Sequence, residues 1–211
     1  MKPAVTPLLA FESSSIEQLP IADADVTLYH QVDFGQSYDE LLYELIDNTA
    51  WRQEEITLYG KAHRQPRLSA WYGDSESVYT YSGIMLQPQP WNQTLLNLKA
   101  GVELLLGRGF NSVLLNYYRD HRDGMGMHSD DESELGKQPV IASLSLGEER
   151  TLLFRHRYRK DLATLKLPLP SGSLLVMKGE TQSHWKHGIT KQSHTCGPRV
   201  NLTFRTIFEN Q

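Results

Sequence analysis

The two residues best placed for metal chemistry are His128 and Asp130, two positions apart. On an extended chain such residues point to the same face, so an imidazole nitrogen and a carboxylate oxygen would lie side by side. A second histidine would complete a two-histidine-one-carboxylate face, which leaves half of an octahedron open and suits non-haem Fe(II). His187 is the leading candidate. His184 competes for this role, but on an extended segment the two histidines would point to opposite faces.

The C-terminal segment 199–205 carries a second unusual pattern. Alternation places its polar and apolar side chains on opposite faces of a strand, Arg199, Asn201, Thr203 and Arg205 on one and Val200, Leu202 and Phe204 on the other. Buried arginines need anionic partners, because an uncompensated buried charge is very costly. At ~3.3 Å per residue the Cα atoms of Arg199 and Arg205 are about 20 Å apart. If the two guanidinium groups lean towards each other, they leave a gap that a short dicarboxylate could bridge. Structural Asp or Glu partners are the alternative.

A third pair of polar residues precedes the metal candidates. Asn116 and Tyr118 share a face of the strand before His128, and both side chains can bond to carboxylate oxygens. A half-solvated strand edge would show the same pattern.

These residues must be positioned by strands, with helices before them. Ser37 and Glu40 form a capping box for a helix over 37–49, and a second helix follows Pro90 and ends at Gly107. Residues 1–35, rich in proline and serine, are predicted to be an irregular arm. From 111 onward short strands are separated by Gly, Pro or Asp: Val113–Arg119, Val140–Leu146, Thr151–Arg155, Thr164–Leu167, Ser173–Met177 and Val200–Phe208. Such strands predict a mainly β fold of the α+β class, a sandwich or jelly roll, in one compact domain over 36–211.

Charge is distributed unevenly in a chain whose formal net charge is −4. Residues 1–57 carry a net charge of −9 and residues 58–211 a net charge of +5. The basic part contains the candidate site, which fits a surface facing nucleic acid as well as an ordinary solvated surface. No apolar run approaches the ~18 residues of a membrane span. Cys196 is the one cysteine, and the N-terminus lacks the pattern of a secretory signal. We therefore expect a monomer without membrane association in the cytoplasm, or in the nucleus of a eukaryote.

Taken together, the motifs resemble the AlkB-type Fe(II)/2-oxoglutarate dioxygenases, in particular the branch that repairs alkylated DNA. The resemblance covers 56–208, and the motifs that carry it are Pro66-Arg67-Leu68, Trp71-Tyr72-Gly73, Tyr79-Thr80-Tyr81-Ser82-Gly83, Asn116-x-Tyr118, His128-x-Asp130, Arg155-His156, His187 and Arg199-x-Asn201-x-Thr203-x-Arg205. It implies a double-stranded β-helix (jelly roll) buttressed by N-terminal helices. Residues 36–110 would form the helices and nucleotide-recognition hairpins, and residues 111–211 the catalytic core.

The resemblance also implies the cofactors and their ligands. Fe(II) would be held by the catalytic residues His128, Asp130 and His187. The co-substrate 2-oxoglutarate would meet Arg205 and Asn116 at its keto acid end. Its far carboxylate would be bound by Arg199, Tyr118 and Asn201. With O₂, such an enzyme demethylates bases of the 1-methyladenine and 3-methylcytosine type in DNA, or in RNA, and releases formaldehyde, succinate and CO₂.

The substrate base would be flipped out or single-stranded, because a duplex hides its Watson–Crick nitrogens. By resemblance, Tyr81 and His128 would sandwich the base and Glu132 would accept from its exocyclic amine. Tyr59 would fill the gap in a duplex, and Tyr79 and Arg67 would be further substrate-binding residues. Candidate phosphate contacts are Arg64, Arg67, Arg119, Arg122 and the basic run 155–160.

Three alternatives stay open at this point. A related dioxygenase could act on RNA, protein or a small molecule with the same iron and co-substrate residues. A non-catalytic jelly-roll binding module could hold a structural metal, although such sites are usually closed by four ligands. A zinc hydrolase could use His/Asp/His, but it would give no reason for two inward arginines.

Overall fold

The computed structural model describes residues 13–58, 61–77, 79–81 and 84–208, with only the backbone for 56–58, 61, 79–81 and 84–86. The helices found there are α1 (Tyr38–Asn48), α2 (Gln93–Leu106) and the single turn α3 (Thr181–His184). The first strands are β1 (Ser15–Leu19), β2 (Asp25–His30), β3 (Glu55–Leu58), β4 (Lys61–Arg64), β5 (Leu68–Gly73), β6 (Tyr79–Tyr81) and β7 (Ile84–Leu86). The later strands are β8 (Ser112–Tyr118), β9 (Met125–His128), β10 (Ile141–Gly147), β11 (Arg150–His156), β12 (Leu165–Leu169), β13 (Leu174–Lys178), β14 (Trp185–Ile189) and β15 (Arg199–Arg205).

Two antiparallel sheets face each other and form the predicted jelly roll. The large sheet has the strand order β1-β2-β13-β10-β15-β8-β5, and the small sheet has the order β12-β11-β14-β9. β3 pairs with β4 and β6 with β7 in separate hairpins. The mainly β fold with N-terminal helices is therefore confirmed.

Alternation along β15 divides the interior into two cores. Val200, Leu202 and Phe204 are fully buried against the layer of α1 and α2, in one apolar cluster with Leu45 and Leu98. The opposite face of the large sheet packs on the small sheet through a second cluster. Polar side chains of β15 point into this second space, so the site lies between the sheets.

The predicted helices form with the expected ends. The Ser37 side chain accepts from the Glu40 N–H, and Glu40 accepts in return from the Ser37 N–H. Gly107 ends α2 in the left-handed conformation with φ 62°, which costs a glycine little.

The prediction of an irregular arm over 1–35 is wrong for residues 15–30. These residues form β1 and β2, and β2 pairs with β13 inside the large sheet. Val26 and Leu28 alternate with residues of the other face and are buried between the sheets. This period-two signal was outweighed by the surrounding prolines and serines. Among the described residues no helix is long and apolar enough to cross a membrane.

Leu202 provides a test of this packing. Leu202→Ala should lower the free energy of unfolding by about 2–5 kcal/mol, because the side chain is fully buried and would leave a cavity. Urea denaturation measures the change. Leu104→Ala on the solvent side of α2, where the side chain is 52% exposed, should change it by less than about 0.5 kcal/mol. Equal effects of the two substitutions would contradict the assigned layers.

Candidate active site

His128, Asp130 and His187 come together at one end of the space between the sheets. Their ligand atoms lie within 4.8 Å of one another, and no other such cluster occurs in the described part of the chain. His187 stands directly opposite His128 in the β14–β9 pairing, and their ring centroids are 4.4 Å apart. Gly188 allows this approach, since a Cβ there would lie 2.8 Å from the Met125 carbonyl oxygen.

Hydrogen bonds orient the three side chains. The His128 Nδ1 lies 3.0 Å from the Gly126 carbonyl oxygen, so this nitrogen carries the proton and Nε2 keeps its lone pair for a metal. The Asp130 Oδ2 lies 3.5 Å from the His187 Nε2, and its Oδ1 accepts from Arg205. Asp130 itself is fixed by Gln182, whose Oε1 accepts from the Asp130 N–H at 2.9 Å.

The protonation states of this cluster suit a cation. Burial, followed by the neighbouring His187, lowers the pKa of His128 to about 4, so the imidazole is neutral at pH 7. For Asp130, burial alone would raise the pKa, but Arg205 and His187 more than offset it and hold the carboxyl ionised. Two imidazoles and one carboxylate are the donor set expected for non-haem Fe(II).

Arg199 is the most unusual residue of the site. It is 2% exposed, its NH2 donates to the Ser145 Oγ at 2.9 Å, and its Nε and NH1 have no hydrogen-bond partner. No carboxylate among the described residues pairs with it, and burial lowers its pKa. A buried guanidinium left with two free donor groups is a site for an anionic ligand.

Asn116 and Tyr118, two other residues predicted from the sequence, also line the pocket. Asn116 stands opposite Asn201 in the β15–β8 register, and its Oδ1 accepts from the Arg67 Nε at 2.8 Å, which leaves the amide NH₂ to donate. Tyr118 stands opposite Arg199, and its hydroxyl donates to the Met125 sulfur at 3.7 Å.

Asn201 differs from the expectation that it binds the far carboxylate. Its amide NH₂ already donates to the Ser143 Oγ at 2.8 Å and the Leu144 carbonyl oxygen at 2.9 Å. Its Oδ1 accepts from Thr203. In this structure Asn201 therefore lines the pocket without a spare donor.

The substrate-side predictions lie at the rim or outside the described residues. Glu132 is half-buried, its Oε2 has no partner, and burial raises its pKa. Tyr59 lies outside the described residues, as do the side chains of Tyr79 and Tyr81. Arg67 donates through its Nε to Asn116, which lines the pocket.

Most of the predicted phosphate contacts are ion-paired in this structure. The pairs are Arg64 with Glu55, Arg119 with Asp123, Arg122 with Asp120, Arg157 with Asp131 and Arg159 with Asp161. These carboxylates offset part of the positive charge that the sequence showed.

Arg150 is a site residue that sequence reasoning missed. It is 1% exposed, and it donates to the carbonyl oxygens of Asp120, Asp123 and Thr190. Its guanidinium carbon lies 5.7 Å from the centroid of the Tyr118 ring, and that of Arg199 lies 5.2 Å from the same centroid. In the sequence Arg150 follows two glutamates and looks like a surface turn. Gln182 was missed as well, because no pattern marks a residue that acts through the backbone of Asp130.

A jelly roll with a two-histidine-one-carboxylate cluster beside a buried, unpaired arginine defines a class of protein, the mononuclear iron oxygenases that use a 2-oxo acid. A profile of the 2OG-Fe(II) oxygenase superfamily matches residues 25–205. The chain is 40% identical over 197 residues to human "Alpha-ketoglutarate-dependent dioxygenase alkB homolog 3", covering 90% of this chain and 68% of that protein. It is 39% identical over 188 residues to human "DNA oxidative demethylase ALKBH2", covering 84% and 72%. The solved structure titled "The structure of OsALKBH1" has the same fold, with a TM-score of 0.61 and 16% identity over 91% of this chain and 100% of that one.

This chain belongs to the 2OG-Fe(II) oxygenase superfamily and, within it, to the AlkB-type dioxygenases. Its cofactors are accordingly Fe(II) and the co-substrates 2-oxoglutarate and O₂. The residues present fit them: the histidine and aspartate donors suit Fe(II), and the free donors of Arg199 suit a carboxylate.

The two buried arginines should respond oppositely to removal of their charge. Without cofactors, Arg199→Met should leave the free energy of unfolding unchanged or raise it by about 1–4 kcal/mol, because an unpaired buried charge is removed. Arg150→Met should lower it by about 2–4 kcal/mol, because three carbonyl groups lose a charged donor. Urea denaturation of the metal-free protein measures both. A loss as large for Arg199→Met as for Arg150→Met would show that Arg199 is a structural residue.

Asp123 should contribute to stability in a pH-dependent way. Burial alone would raise its pKa, but hydrogen bonds from the Arg119 side chain and backbone more than offset burial and leave the pKa below its usual value. Since the unfolded state binds the proton more readily, the contribution is present above about pH 4 and is lost as the pH falls through the folded-state pKa. The difference in free energy of unfolding between the wild type and Asp123→Asn should therefore shrink from neutral pH to about pH 3. A difference independent of pH would contradict this assignment.

Proposed function

We propose that this protein is an oxidative demethylase of N-alkylated bases in nucleic acid, of the 1-methyladenine and 3-methylcytosine type in DNA. The observation that carries the proposal is one pocket containing the His128, Asp130 and His187 cluster together with the unpaired guanidinium of Arg199. The relatives named as a DNA oxidative demethylase, at 39% identity, support the substrate class.

The metal would be held by His128, Asp130 and His187, with Gly126 and Gln182 orienting two of them. Bound iron and 2-oxoglutarate would supply the oxidising chemistry, in which 2-oxoglutarate and O₂ would be converted to succinate and CO₂ and the N-methyl group would be removed as formaldehyde. The protein residues then act by binding and orientation. No side-chain nucleophile is needed, and Cys196 lies outside the pocket lining.

Arg199 would bind the far carboxylate of 2-oxoglutarate through its free Nε and NH1 groups, with the Tyr118 hydroxyl beside it. Arg205 and Asn116 would serve the keto acid end, and Arg205 already lies next to the metal site through Asp130. The Asn116 amide can donate there because its oxygen is held by Arg67. Asn201 would orient the polar wall through Ser143 and Thr203.

Glu132 is suited to recognise the damaged base. Its raised pKa and unpartnered Oε2 describe a carboxyl group that lacks an ion-pair partner in this structure. A cationic N-methylated adenine or cytosine would supply both a positive charge and an exocyclic amine donor. His128 and Tyr81 would stack on the base, and Tyr59 would enter the duplex.

The other functions explain fewer of these observations. A structural metal site would need a fourth protein ligand, and the described residues provide three. A zinc hydrolase gives no role to a buried arginine without a carboxylate. A dioxygenase acting on RNA shares the whole pocket, and the choice of nucleic acid is therefore part of the test.

The test is the release of formaldehyde and succinate from 1-methyladenine and 3-methylcytosine in single-stranded and duplex DNA and RNA, with Fe(II) and 2-oxoglutarate. Wild-type protein should release both in equal amounts. His187→Ala should reduce turnover by more than about 100-fold, since loss of a residue that merely orients a metal ligand already costs 10–100-fold.

His30→Ala is the matched control, because His30 lies at the end of β2, outside the pocket lining, and pairs with Glu17. It should leave turnover unchanged. If the wild type formed succinate but released no formaldehyde from any of the methylated nucleic acids, the proposed substrate would be contradicted. The oxidation of 2-oxoglutarate would still stand.

A further inference from the structure

Tyr158 is the most exposed of the large apolar side chains in the described part of the chain, at 65%. It follows β11 within the basic run 155–160, where it is the one tyrosine. An isolated exposed aromatic ring needs no explanation. The surroundings of Tyr158, however, are ordered and charged.

Buried His156 anchors the backbone under this ring. The N–H groups of Tyr158 and Arg159 both donate to the His156 Nδ1, at 3.2 and 3.0 Å. The His156 Nε2 therefore carries the proton and lies 3.3 Å from the Asp23 carboxylate. The His156 and His184 rings stand nearly perpendicular to the Tyr158 ring, each with centroids 6.1 Å away. The ring is thus held in one orientation before any ligand arrives.

Arg157 connects this ring to the metal site. Its guanidinium carbon lies 5.9 Å from the Tyr158 ring centroid, and its NH1 donates to Asp131 at 2.7 Å and to the Gln182 carbonyl oxygen at 3.3 Å. Asp131 follows Asp130 in the chain, and the Gln182 side chain holds the Asp130 N–H. Contacts through Arg157 and Asp131 therefore link Tyr158 to the metal site.

Uncompensated positive charge lies beside it. Arg155 and Lys186 are directly opposite in the β11–β14 register, both are exposed, and neither has a carboxylate partner among the described residues. Like charges directly opposite each other in a sheet are destabilising. The nearby acidic groups are already engaged: Asp131 with Arg157, Asp161 with Arg159, and Asp23 with His156.

An exposed, oriented aromatic ring next to unpaired cations is the combination that binds single-stranded nucleic acid, where bases stack and phosphates meet the cations. We propose that Tyr158 is a stacking platform for a nucleotide flanking the damaged base, with Arg155 and Lys186 contacting the adjoining phosphates. This inference rests on the proposed function and deepens it, because it assigns recognition of the neighbouring strand to a surface outside the pocket.

The experiment compares the wild type with its variants in binding a fluorescent single-stranded oligodeoxynucleotide that contains one 3-methylcytosine. Fluorescence anisotropy measures the affinity of each protein. Tyr158→Ala should weaken binding roughly 5- to 150-fold, the range of one base–aromatic stack. Tyr158→Phe should stay within about 2-fold of wild type, because the stacking face is retained. Tyr43→Ala should have no effect, because Tyr43 is a similarly exposed tyrosine on α1.

Two further measurements separate stacking from other roles. Turnover of the methylated mononucleotide should be the same for Tyr158→Ala and wild type, because no flanking base is present. Arg155→Gln with Lys186→Gln should flatten the dependence of log affinity on log salt by roughly 0.7 for each charge removed, and Tyr158→Ala should not change that slope.

Unchanged oligonucleotide affinity in Tyr158→Ala would overturn the proposal that Tyr158 stacks on a flanking nucleotide. An equal loss of mononucleotide turnover would also overturn it, because it would show a structural role acting through Arg157. Tighter binding of the wild type to acidic peptides or anionic vesicles than to the oligonucleotide would also overturn it. Failure of the proposed function is seen separately, as absence of formaldehyde release by the wild type on every methylated nucleic acid.

Discussion

The buried guanidinium of Arg199 is the constraint on which the rest of the site depends. A permanent positive charge inside a protein is tolerated only when its surroundings solvate it. Here Ser145 accepts one hydrogen bond and the Tyr118 ring lies 5.2 Å away, while two donor groups remain free. A second buried arginine, Arg150, lies next to the same ring and is bonded to three carbonyl groups. The far end of the pocket therefore has a positive charge that a dicarboxylate would neutralise.

At the other end, Arg205 and Asp130 neutralise each other. Asp130 is thereby kept ionised in a buried position, with its second oxygen facing His187. The two arginines of one strand thus have different tasks. Arg205 keeps a metal-binding carboxylate ionised, and Arg199 has donor groups that are free to bind an anion. The strand itself is held by the apolar face of Val200, Leu202 and Phe204 against the helices, so the packing of the core sets the position of both charges.

Much of this could be predicted from sequence because alternation along a strand is a strong signal. The two faces of 199–205, the shared face of Asn116 and Tyr118, and the proximity of His128 and Asp130 all follow from a period of two. The strands β9 and β14 were not predicted, because Met125–His128 is short and the middle of Trp185–Ile189 is Lys-His-Gly, which hides the alternation of polar and apolar residues. β1 and β2 were hidden by neighbouring prolines and serines. Arg150, Gln182 and the saturated hydrogen bonding of Asn201 depend on contacts between distant segments, which no local pattern encodes.

The most direct test of the central claim is the affinity of the metal-loaded protein for 2-oxoglutarate compared with 2-oxobutanoate, which lacks the far carboxylate, measured by isothermal titration calorimetry. If Arg199 is the anion site, 2-oxoglutarate should bind at least about 10-fold more tightly, since a charge-assisted hydrogen bond contributes about 1.5–3 kcal/mol. The preference should disappear in Arg199→Met. Equal affinities of the wild type for the two keto acids would contradict the claim that this buried charge selects a dicarboxylate.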